Sequence, residues 1–240
     1  SMQVYDQLEI LTNRPIKKLR EKYDCNLFSY TKYPDMCNVG SWQEKALSIV
    51  RNKKNKIPIF VGGTGLYMDS IINNISKIPK VSSEVKRRVD HMFKKFGINY
   101  LYKELKKTDG EYSKKLSPKD TQRIIRALEV NLSTKTTLSE WHRMEKNQIF
   151  KKIIYVVVKT EREKLYSRIN QRCDTMINLG VLEEVKSFLE LKQKLEHPIH
   201  KSIGLRQITR YLKGINSLEE TMTEFMQETR RYAKRQLTWF

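Results

Sequence analysis

A short apolar segment that runs into a glycine-rich turn constrains the fold of this chain more than any other feature. In KIPIFVGGTGLYM, residues 57–61 predict a buried strand, residues 62–65 a tight turn and residues 66–74 a helix. Residues 153–158 predict a second strand, and their almost uninterrupted apolar character is typical of a parallel sheet covered on both faces. The sequence therefore predicts an α/β fold with a small parallel sheet.

The rest of the chain predicts helices, which divide it into three regions. We expect residues 1–80 to form the first part of an α/β core and residues 81–145 to form a basic helical insertion. Residues 146–240 predict a core strand followed by a helical C-terminal region. Within the insertion, a serine at residues 82–83 is expected to cap a helix that Gly97 ends.

Positive charge dominates the composition. Lysine and arginine total 47 against 27 aspartate and glutamate residues, which gives a formal charge of +20. A compact chain with this excess repels itself unless a polyanion neutralises it, and nucleic acid is the commonest such partner. A general enrichment in lysine is the alternative explanation. The charge therefore indicates a class of partner and not a reaction.

The cysteines and the hydropathy of the chain indicate where the protein works. The three cysteines form no CxxC pair and are odd in number, which favours a reducing compartment over a disulfide framework. No apolar run approaches the ~20 residues that span a bilayer, so we expect a soluble, cytoplasmic protein without a membrane partner. His197 and His200 have no acidic or cysteine cluster beside them, and a surface pair is a better interpretation than a metal site.

The glycine turn at residues 62–65 is the first candidate binding site. A turn after a strand places backbone N–H groups and the Thr64 hydroxyl at the carboxyl end of a sheet, where α/β proteins bind ligands. A helix N-terminus at that point also favours anions. The alternative is that the glycines only permit positive φ in a tight connection. No P-loop motif of the form GxxxxGK[ST] occurs in the chain.

The sequence DTQRIIRALEV at residues 120–130 is a second candidate. Its helical spacing places Gln122, Arg123 and Arg126 on one face and apolar residues on the other. Guanidinium and amide groups on one ridge suit phosphate oxygens and exposed base edges. The alternative is an amphipathic helix whose arginines pair with Glu129 or cover apolar surface.

Two segments near the C-terminus also carry basic side chains. Arg206 follows Gly204 at a predicted helix start, where a guanidinium is able to bind a diphosphate with two hydrogen bonds, although a lone arginine is more often plain surface. Residues 229–240 interleave basic and aromatic residues, a pattern that suits backbone neutralisation and base stacking. The alternative is a terminal helix that packs its aromatic side chains into the core.

Five motifs occur in the order and spacing of one family. They are SMQVY at the start, VGGTGLY, DTQRIIRALEV, SIGLRQ and TRRYAKRQLTWF. In these the chain closely resembles the bacterial-type tRNA dimethylallyltransferases. The resemblance implies a P-loop-NTPase-like sheet core and a prenyltransferase that uses Mg²⁺ and dimethylallyl diphosphate. The acceptor would be N6 of the adenosine 3′ of the anticodon, at tRNA position 37. A monomer that binds the anticodon stem-loop is also implied.

The resemblance further implies roles for individual residues. Arg206 matches the arginine that faces the diphosphate, Thr64 matches a position of the catalytic site that touches the tRNA, and Lys86 matches another tRNA contact. The stretch that contacts the target nucleotide matches Ser1, Met2 and Gln3. The helix that grips the anticodon loop matches Gln122, Arg123, Ile124, Ile125 and Arg126. The C-terminal tRNA contacts match Lys234, Arg235 and Gln236. No residue is matched to a metal ligand.

Two features of the family are not found in these residues. Family members carry a P-loop ahead of the SMQVY motif and an aspartate, acting as general base, directly before the serine that Ser1 matches. The resemblance therefore implies that the 240 residues alone are truncated and inactive, and a catalytically dead tRNA-binding protein is the alternative. A transferase for free adenine nucleotides is a weaker alternative, because a mononucleotide needs no extended basic surface.

Overall fold

The computed structural model describes residues 2–53, 56–144, 147–191 and 193–240. They form two compact units, the core unit (residues 1–72 and 152–240) and the insertion unit (residues 73–151). In chain order the described α-helices are α1 (Lys17–Lys22), α2 (Val39–Asn52), α3 (Gly65–Ile72), α4 (Ser83–Thr108), α5 (Gly110–Lys114), α6 (Thr121–Thr134), α7 (Leu138–Arg143), α8 (Arg162–Asn178), α9 (Val181–Glu190), α10 (Leu205–Leu212) and α11 (Leu218–Trp239). Helices α4 to α7 belong to the insertion unit.

Side-chain caps and one glycine determine where the long helices begin and break. The Asn38 side chain accepts a hydrogen bond at the start of α2, and Ser217 does the same for α11, each as part of a capping box. Ser82 caps α4. Gly97 has φ 73°, which interrupts α4 at the predicted place, because this left-handed backbone conformation is open to glycine and not to a helix interior.

The predicted parallel sheet is not found in the described ranges, where the only strand-like pairing is a parallel bridge between Tyr5 and Thr31. Residues 57–61 and 153–158 lie outside any helix or ladder, and their side chains are largely exposed, with Ile57 at 90%. Apolar, β-branched residues favour strand geometry, but a strand also needs a neighbour for its N–H and C=O groups. Neither segment forms a ladder in the described structure, so the two predicted strands are not found there.

Helix α11 packs against two other helices of the core unit. Phe225, which is buried, lies against Gly204 at the start of α10, where a Cβ atom would come within 2.6 Å of the Phe225 ring. Gly204 also has φ 92°, so both space and backbone conformation require glycine there. Farther along, Arg230 Nη1 donates a hydrogen bond of 3.1 Å to Asn170 Oδ1 on α8. These contacts fix α11 relative to α8 and α10.

The sequence predicted that His197 and His200 form a surface pair, and this prediction is wrong for His197, which is buried. Its ring centroid lies 5.0 Å from that of Tyr5 and 5.4 Å from that of Tyr33, and its Nε2 atom is 2.9 Å from the Asp35 carbonyl oxygen. His200 is half-buried, and burial followed by the nearby His197 lowers its pKa. The prediction failed because two tyrosine rings distant in sequence cover the imidazole of His197.

The insertion unit has its own apolar core between α4, α6 and α7. The fully enclosed side chains are Val81, Val89, Leu101, Leu105, Ile124, Ala127, Leu128, Val130 and Leu138. A buried carboxylate, Asp109, accepts hydrogen bonds from the Ser139 N–H at 2.9 Å and hydroxyl at 2.7 Å, and from the Tyr112 N–H at 3.0 Å. Burial alone would raise the pKa of Asp109, but these hydrogen bonds hold it below its usual value.

Replacing Asp109 is expected to destabilise the protein. We expect Asp109→Asn to lower the free energy of unfolding by about 1–3 kcal/mol near neutral pH, because hydrogen bonds to a buried charge are lost. Folding lowers the pKa of Asp109, so its contribution is complete above the unfolded pKa of about 3.9 and is lost as the pH falls through the folded value. Chemical denaturation of both proteins at pH 6.5 and pH 3.5 measures this deficit, which should shrink at the lower pH.

Asp90→Asn is the matched control for Asp109→Asn. Asp90 forms an exposed pair with Lys94 on α4, and such pairs contribute about 0–1 kcal/mol. A deficit for Asp109→Asn no larger than that of the control, or the same at both pH values, would contradict the assignment.

Candidate functional site

The glycine turn that the sequence singled out lies directly before α3. The Thr64 carbonyl oxygen accepts hydrogen bonds from the N–H groups of Tyr67 at 2.9 Å and Met68 at 3.2 Å, so Thr64 begins the first helical turn. Its side chain is half-buried, and its hydroxyl has no hydrogen-bond partner among the described residues. The Thr64 hydroxyl is therefore available to a ligand at the N-terminus of a helix.

The glycines of this turn serve close packing and not an unusual backbone conformation. None of the glycines in residues 62–65 has a positive φ, so the alternative that they only permit such a conformation is wrong. A Cβ atom on Gly63 would overlap the Gln236 amide, and one on Gly65 would overlap the Trp239 indole. Two side chains of α11 therefore occupy the space that side chains in the turn would need.

The opposite side of α3 is anchored by aromatic side chains. Tyr67 stacks on Trp42 of α2, with ring centroids 4.5 Å apart. The Tyr67 hydroxyl lies 3.7 Å from the Cys37 thiol, which the Tyr30 hydroxyl approaches to 3.0 Å. Burial, followed by these contacts with Cys37, raises the pKa of Tyr67 and of Tyr30 above the ordinary tyrosine value. No motif in the sequence points to this cluster.

The C-terminal end of α11 places its predicted tRNA contacts in two different environments. Lys234 and Arg235 are exposed and, with Thr238 and Trp239, line a shallow surface groove. Gln236 instead is half-buried, and its Nε2 atom donates a hydrogen bond of 3.1 Å to the Gly63 carbonyl oxygen. Of the three predicted tRNA contacts, only the basic side chains of Lys234 and Arg235 are open to a polyanion.

Arg206 lies in the first turn of α10 with its side chain exposed. The helix is held by buried apolar residues on its other face, among them Leu205 and Ile208. Within residues 2–53, 56–144, 147–191 and 193–240, no carboxylate or hydrogen-bond acceptor engages the Arg206 guanidinium. A fork of N–H donors without a protein acceptor is suited to a doubly charged anion such as diphosphate.

The three N-terminal residues matched to the target nucleotide differ in what they offer. Ser1 lies outside the described residues. Met2 is partly buried at the start of a short 3₁₀-helix, Met2–Val4. The Gln3 amide donates hydrogen bonds to the carbonyl oxygens of Thr12 at 3.0 Å and Asn13 at 2.8 Å, so it shapes the backbone of this segment.

In the insertion unit, α6 presents the predicted polar face. Gln122, Arg123 and Arg126 are exposed. Arg123 pairs with Asp120, the N-cap of α6, at 2.8 Å, while the Arg126 guanidinium lies 3.8 Å from the Glu129 carboxylate. The pairing with Glu129 that the sequence left open is thus present, but it is long and involves an arginine that remains open to solvent.

The electrostatics of this face are set by several positive charges around one carboxylate. Burial raises the pKa of Glu129, and the nearby Arg126 and Lys86 partly offset that rise. Lys86 on α4 therefore lies close enough to Glu129 to attract its carboxylate electrostatically, as Arg126 on α6 does. The three cationic side chains of this surface, which we call the α6 basic face, are Lys86, Arg123 and Arg126.

The two isoleucines of the same motif support the helix from inside. Ile124 is completely buried, and Ile125 is half-buried against the core of the insertion unit. Their side chains hold α6 on α4, which orients the α6 basic face toward solvent. The Ile124 side chain itself is not accessible to RNA in this structure.

The described residues offer neither a cluster of metal-ligating side chains nor a membrane-spanning helix. They contain no group of three or more histidine, cysteine, aspartate or glutamate side chains arranged to hold a metal ion. None of the described helices combines the length and apolar character needed to cross a membrane.

Comparisons with known proteins identify relatives along the whole chain. A family model described as IPP transferase matches residues 3–240. A tRNA dimethylallyltransferase of Pelagibacter ubique is 39% identical over 242 residues, which cover 100% of this chain and 77% of that protein. One from Bartonella tribocorum is 37% identical and is covered to 83% of its length.

Solved structures agree with the sequence relatives. The tRNA isopentenylpyrophosphate transferase of Bacillus halodurans matches with a TM-score of 0.65 and 27% identity, covering all of this chain and 76% of that one. A eukaryotic dimethylallyltransferase acting on tRNA matches with a TM-score of 0.86 at 24% identity over 61% of its length, which supports the fold alone. The match of nearly every residue to one family model, together with these relatives, shows that the chain belongs to the IPP transferase family.

Proposed function

We propose that this protein transfers a dimethylallyl group from dimethylallyl diphosphate to N6 of the adenosine 3′ of the anticodon, at tRNA position 37. One observation carries the proposal beyond family membership. In the core unit, the Arg206 guanidinium and the Thr64 hydroxyl are each presented at the start of a helix without a protein partner among the described residues. They are the two residues that the family resemblance matches to the catalytic site.

Arg206 is assigned to the leaving group. When the bond between the prenyl C1 carbon and the diphosphate oxygen breaks, negative charge builds up on the diphosphate. A guanidinium already in place stabilises that charge with two parallel hydrogen bonds and needs no rearrangement during the reaction. The stable helical position of Arg206, on a helix fixed through Gly204 and Phe225, supports this role.

Thr64 is assigned to the acceptor side of the reaction. The exocyclic amine of adenine is a poor nucleophile, so the base must leave its stack and be aligned with the prenyl C1 carbon. The Thr64 hydroxyl is able to contact the tRNA near that position and to help hold it. Attack by N6 forms the new C–N bond as the C1–O bond breaks, the diphosphate departs with that electron pair, and the alkylated amine releases one proton to water.

The α6 basic face is assigned to the anticodon stem-loop. Its arginines now pair with Asp120 and Glu129, but both guanidinium groups remain open to solvent, and ion pairs at a protein surface contribute only about 0–1 kcal/mol. RNA phosphates are therefore able to replace those carboxylates at little cost, with release of counterions. Lys234 and Arg235 at the end of α11 are proposed as additional phosphate contacts.

Mg²⁺ is proposed only as a companion of the diphosphate. This ion prefers oxygen ligands and usually combines one or two carboxylates with substrate phosphates. The described residues do not gather three potential ligands and so do not fit a metal site of their own. Every step above is therefore assigned to residues of the chain. We further propose that the protein acts in the cytoplasm as a monomer.

The reaction itself is tested by analysing tRNA from cells with and without the gene. We expect prenylated adenosine to be present in digests of tRNA from the parent and absent after deletion, and mass spectrometry of nucleosides measures it. Restoring the intact gene should restore the modification. An unchanged level in the deletion strain would end the proposal, and tRNA binding without any modification would favour the catalytically dead alternative.

Arg206→Ala is expected to reduce turnover much more than tRNA affinity. Loss of one preorganised donor to a developing anion lowers kcat by about 10²–10³-fold, while tRNA Kd should stay within about 2-fold. Steady-state kinetics and filter binding on the complete protein measure the two effects. The control is Arg210→Ala on the same helix, because Arg210 lies 3.4 Å from Glu224 and has a protein partner. Equal losses of turnover and affinity in Arg206→Ala would contradict the role.

The double substitution Arg123→Gln, Arg126→Gln is expected to weaken tRNA binding and its dependence on salt. Each lost phosphate contact reduces the slope of log affinity against log salt by about 0.7–0.9, so the slope should fall by about 1.4–1.8. Filter binding at several salt concentrations measures the slope. Lys17→Gln, Lys18→Gln on α1 removes the same charge from another helix and serves as the control. An identical slope in both double variants would show that the effect is only one of net charge.

A further inference from the structure

The end of α11 makes two contacts on either side of Thr64. Gln236 and Trp239 are three residues apart, so they lie on one face of the helix. Gln236 contacts Gly63, and Trp239 contacts Gly65. Both chain neighbours of Thr64 are therefore held by the same helical face.

The first of these contacts is a directed hydrogen bond. Gln236 Nε2 donates to the Gly63 carbonyl oxygen at 3.1 Å, which fixes the orientation of the peptide group that joins Gly63 to Thr64. The amide approaches so closely that a Cβ atom on Gly63 would overlap it. The hydrogen bond and the absence of a side chain at residue 63 therefore depend on each other.

The second contact is a close approach of an aromatic ring. The Trp239 indole lies over Gly65, the first residue of α3, and a Cβ atom there would overlap the ring. Most of the indole remains exposed, with 59% of the residue open to solvent. The ring therefore covers the start of α3 without being a core residue.

The requirement for glycine in this turn comes from α11 and not from the turn itself. Gly63 and Gly65 do not have positive φ, so an alanine could adopt their backbone conformations. What an alanine cannot do is share space with the Gln236 amide or the Trp239 indole. The effect of a substitution at residue 63 on activity or stability should therefore depend on which side chain is present at residue 236.

We infer that Gln236 and Trp239 are positioning residues, which hold the glycine turn so that the Thr64 hydroxyl has a fixed place. The inference rests on the proposed function for the role of Thr64. The family resemblance assigns Gln236, Lys234 and Arg235 alike to tRNA contacts. The inference gives Gln236 a different role from that of its two basic neighbours. A hydroxyl that must align a base depends strongly on position, because a misplacement of about 1 Å is able to cost 10²-fold in rate.

The first experiment separates positioning from tRNA binding in the complete protein. Gln236→Met keeps the length of the side chain and removes its N–H donor. We expect kcat at saturating dimethylallyl diphosphate and tRNA to fall about 10-fold or more while tRNA Kd stays within about 2-fold. Lys234→Gln is the contrasting variant, which should raise tRNA Kd by a larger factor than Gln236→Met does. A raised tRNA Kd with unchanged kcat in Gln236→Met would overturn the inference and restore Gln236 as a tRNA contact.

The second experiment is a double-mutant cycle between residues 63 and 236. Gly63→Ala alone forces its new methyl group against the Gln236 amide, whereas Gln236→Ala removes that amide and leaves room for the methyl group. We therefore expect Gly63→Ala to reduce kcat by a smaller factor in the Gln236→Ala background than in the parent. Equal factors in both backgrounds would overturn the proposed contact.

The same cycle followed by chemical denaturation distinguishes failure of this inference from failure of the proposed function. The shift in denaturation midpoint caused by Gly63→Ala should be smaller in the Gln236→Ala background. If the parent protein lacked transferase activity, the proposed function would fail, but the coupled midpoints would still support the contact. Independent midpoint shifts would overturn the contact whatever the activity.

Discussion

The packing of α11 is the constraint on which the rest of the core unit depends. This helix of 22 residues contacts the start of α10 through Phe225, α8 through Arg230, and the glycine turn through its last residues. Two of these contacts, with α10 and with the glycine turn, lie within two residues of Arg206 and Thr64, which we assign to the reaction. One continuous helix therefore fixes the position of Arg206 on α10 relative to the Thr64 hydroxyl before α3. A rigid α-helix maintains such a relative position better than a loop would.

Much of the helical structure could be predicted from the sequence because it depends on local patterns. The polar face of α6 follows from the spacing of Gln122, Arg123 and Arg126, and the break at Gly97 follows from the conformational freedom of glycine. The exposed position of Arg206 also follows from the apolar residues on the other face of α10. In each case the determining residues lie within one or two helical turns of each other.

The parts that could not be predicted depend on partners that are distant in the chain. Residues 57–61 have the composition of a strand, but pairing is a property of two segments and not of one. The burial of His197 requires Tyr5 and Tyr33, more than 160 residues earlier. The glycines of the turn were singled out correctly, yet the reason for them lies about 170 residues away in α11. The resemblance grouped Gln236 with Lys234 and Arg235, and only the contact with Gly63 separates it from them.

The cluster of tyrosines around Cys37 has a consequence for how the site responds to acidity. Burial raises the pKa of Tyr5, Tyr30 and Tyr67, so these phenols stay protonated throughout the range in which cells live. The polar layer behind α3 therefore gains no negative charge from its tyrosines under those conditions. The tyrosines behind α3 thus present the same uncharged surface to the neighbouring glycine turn, whatever the proton concentration within that range.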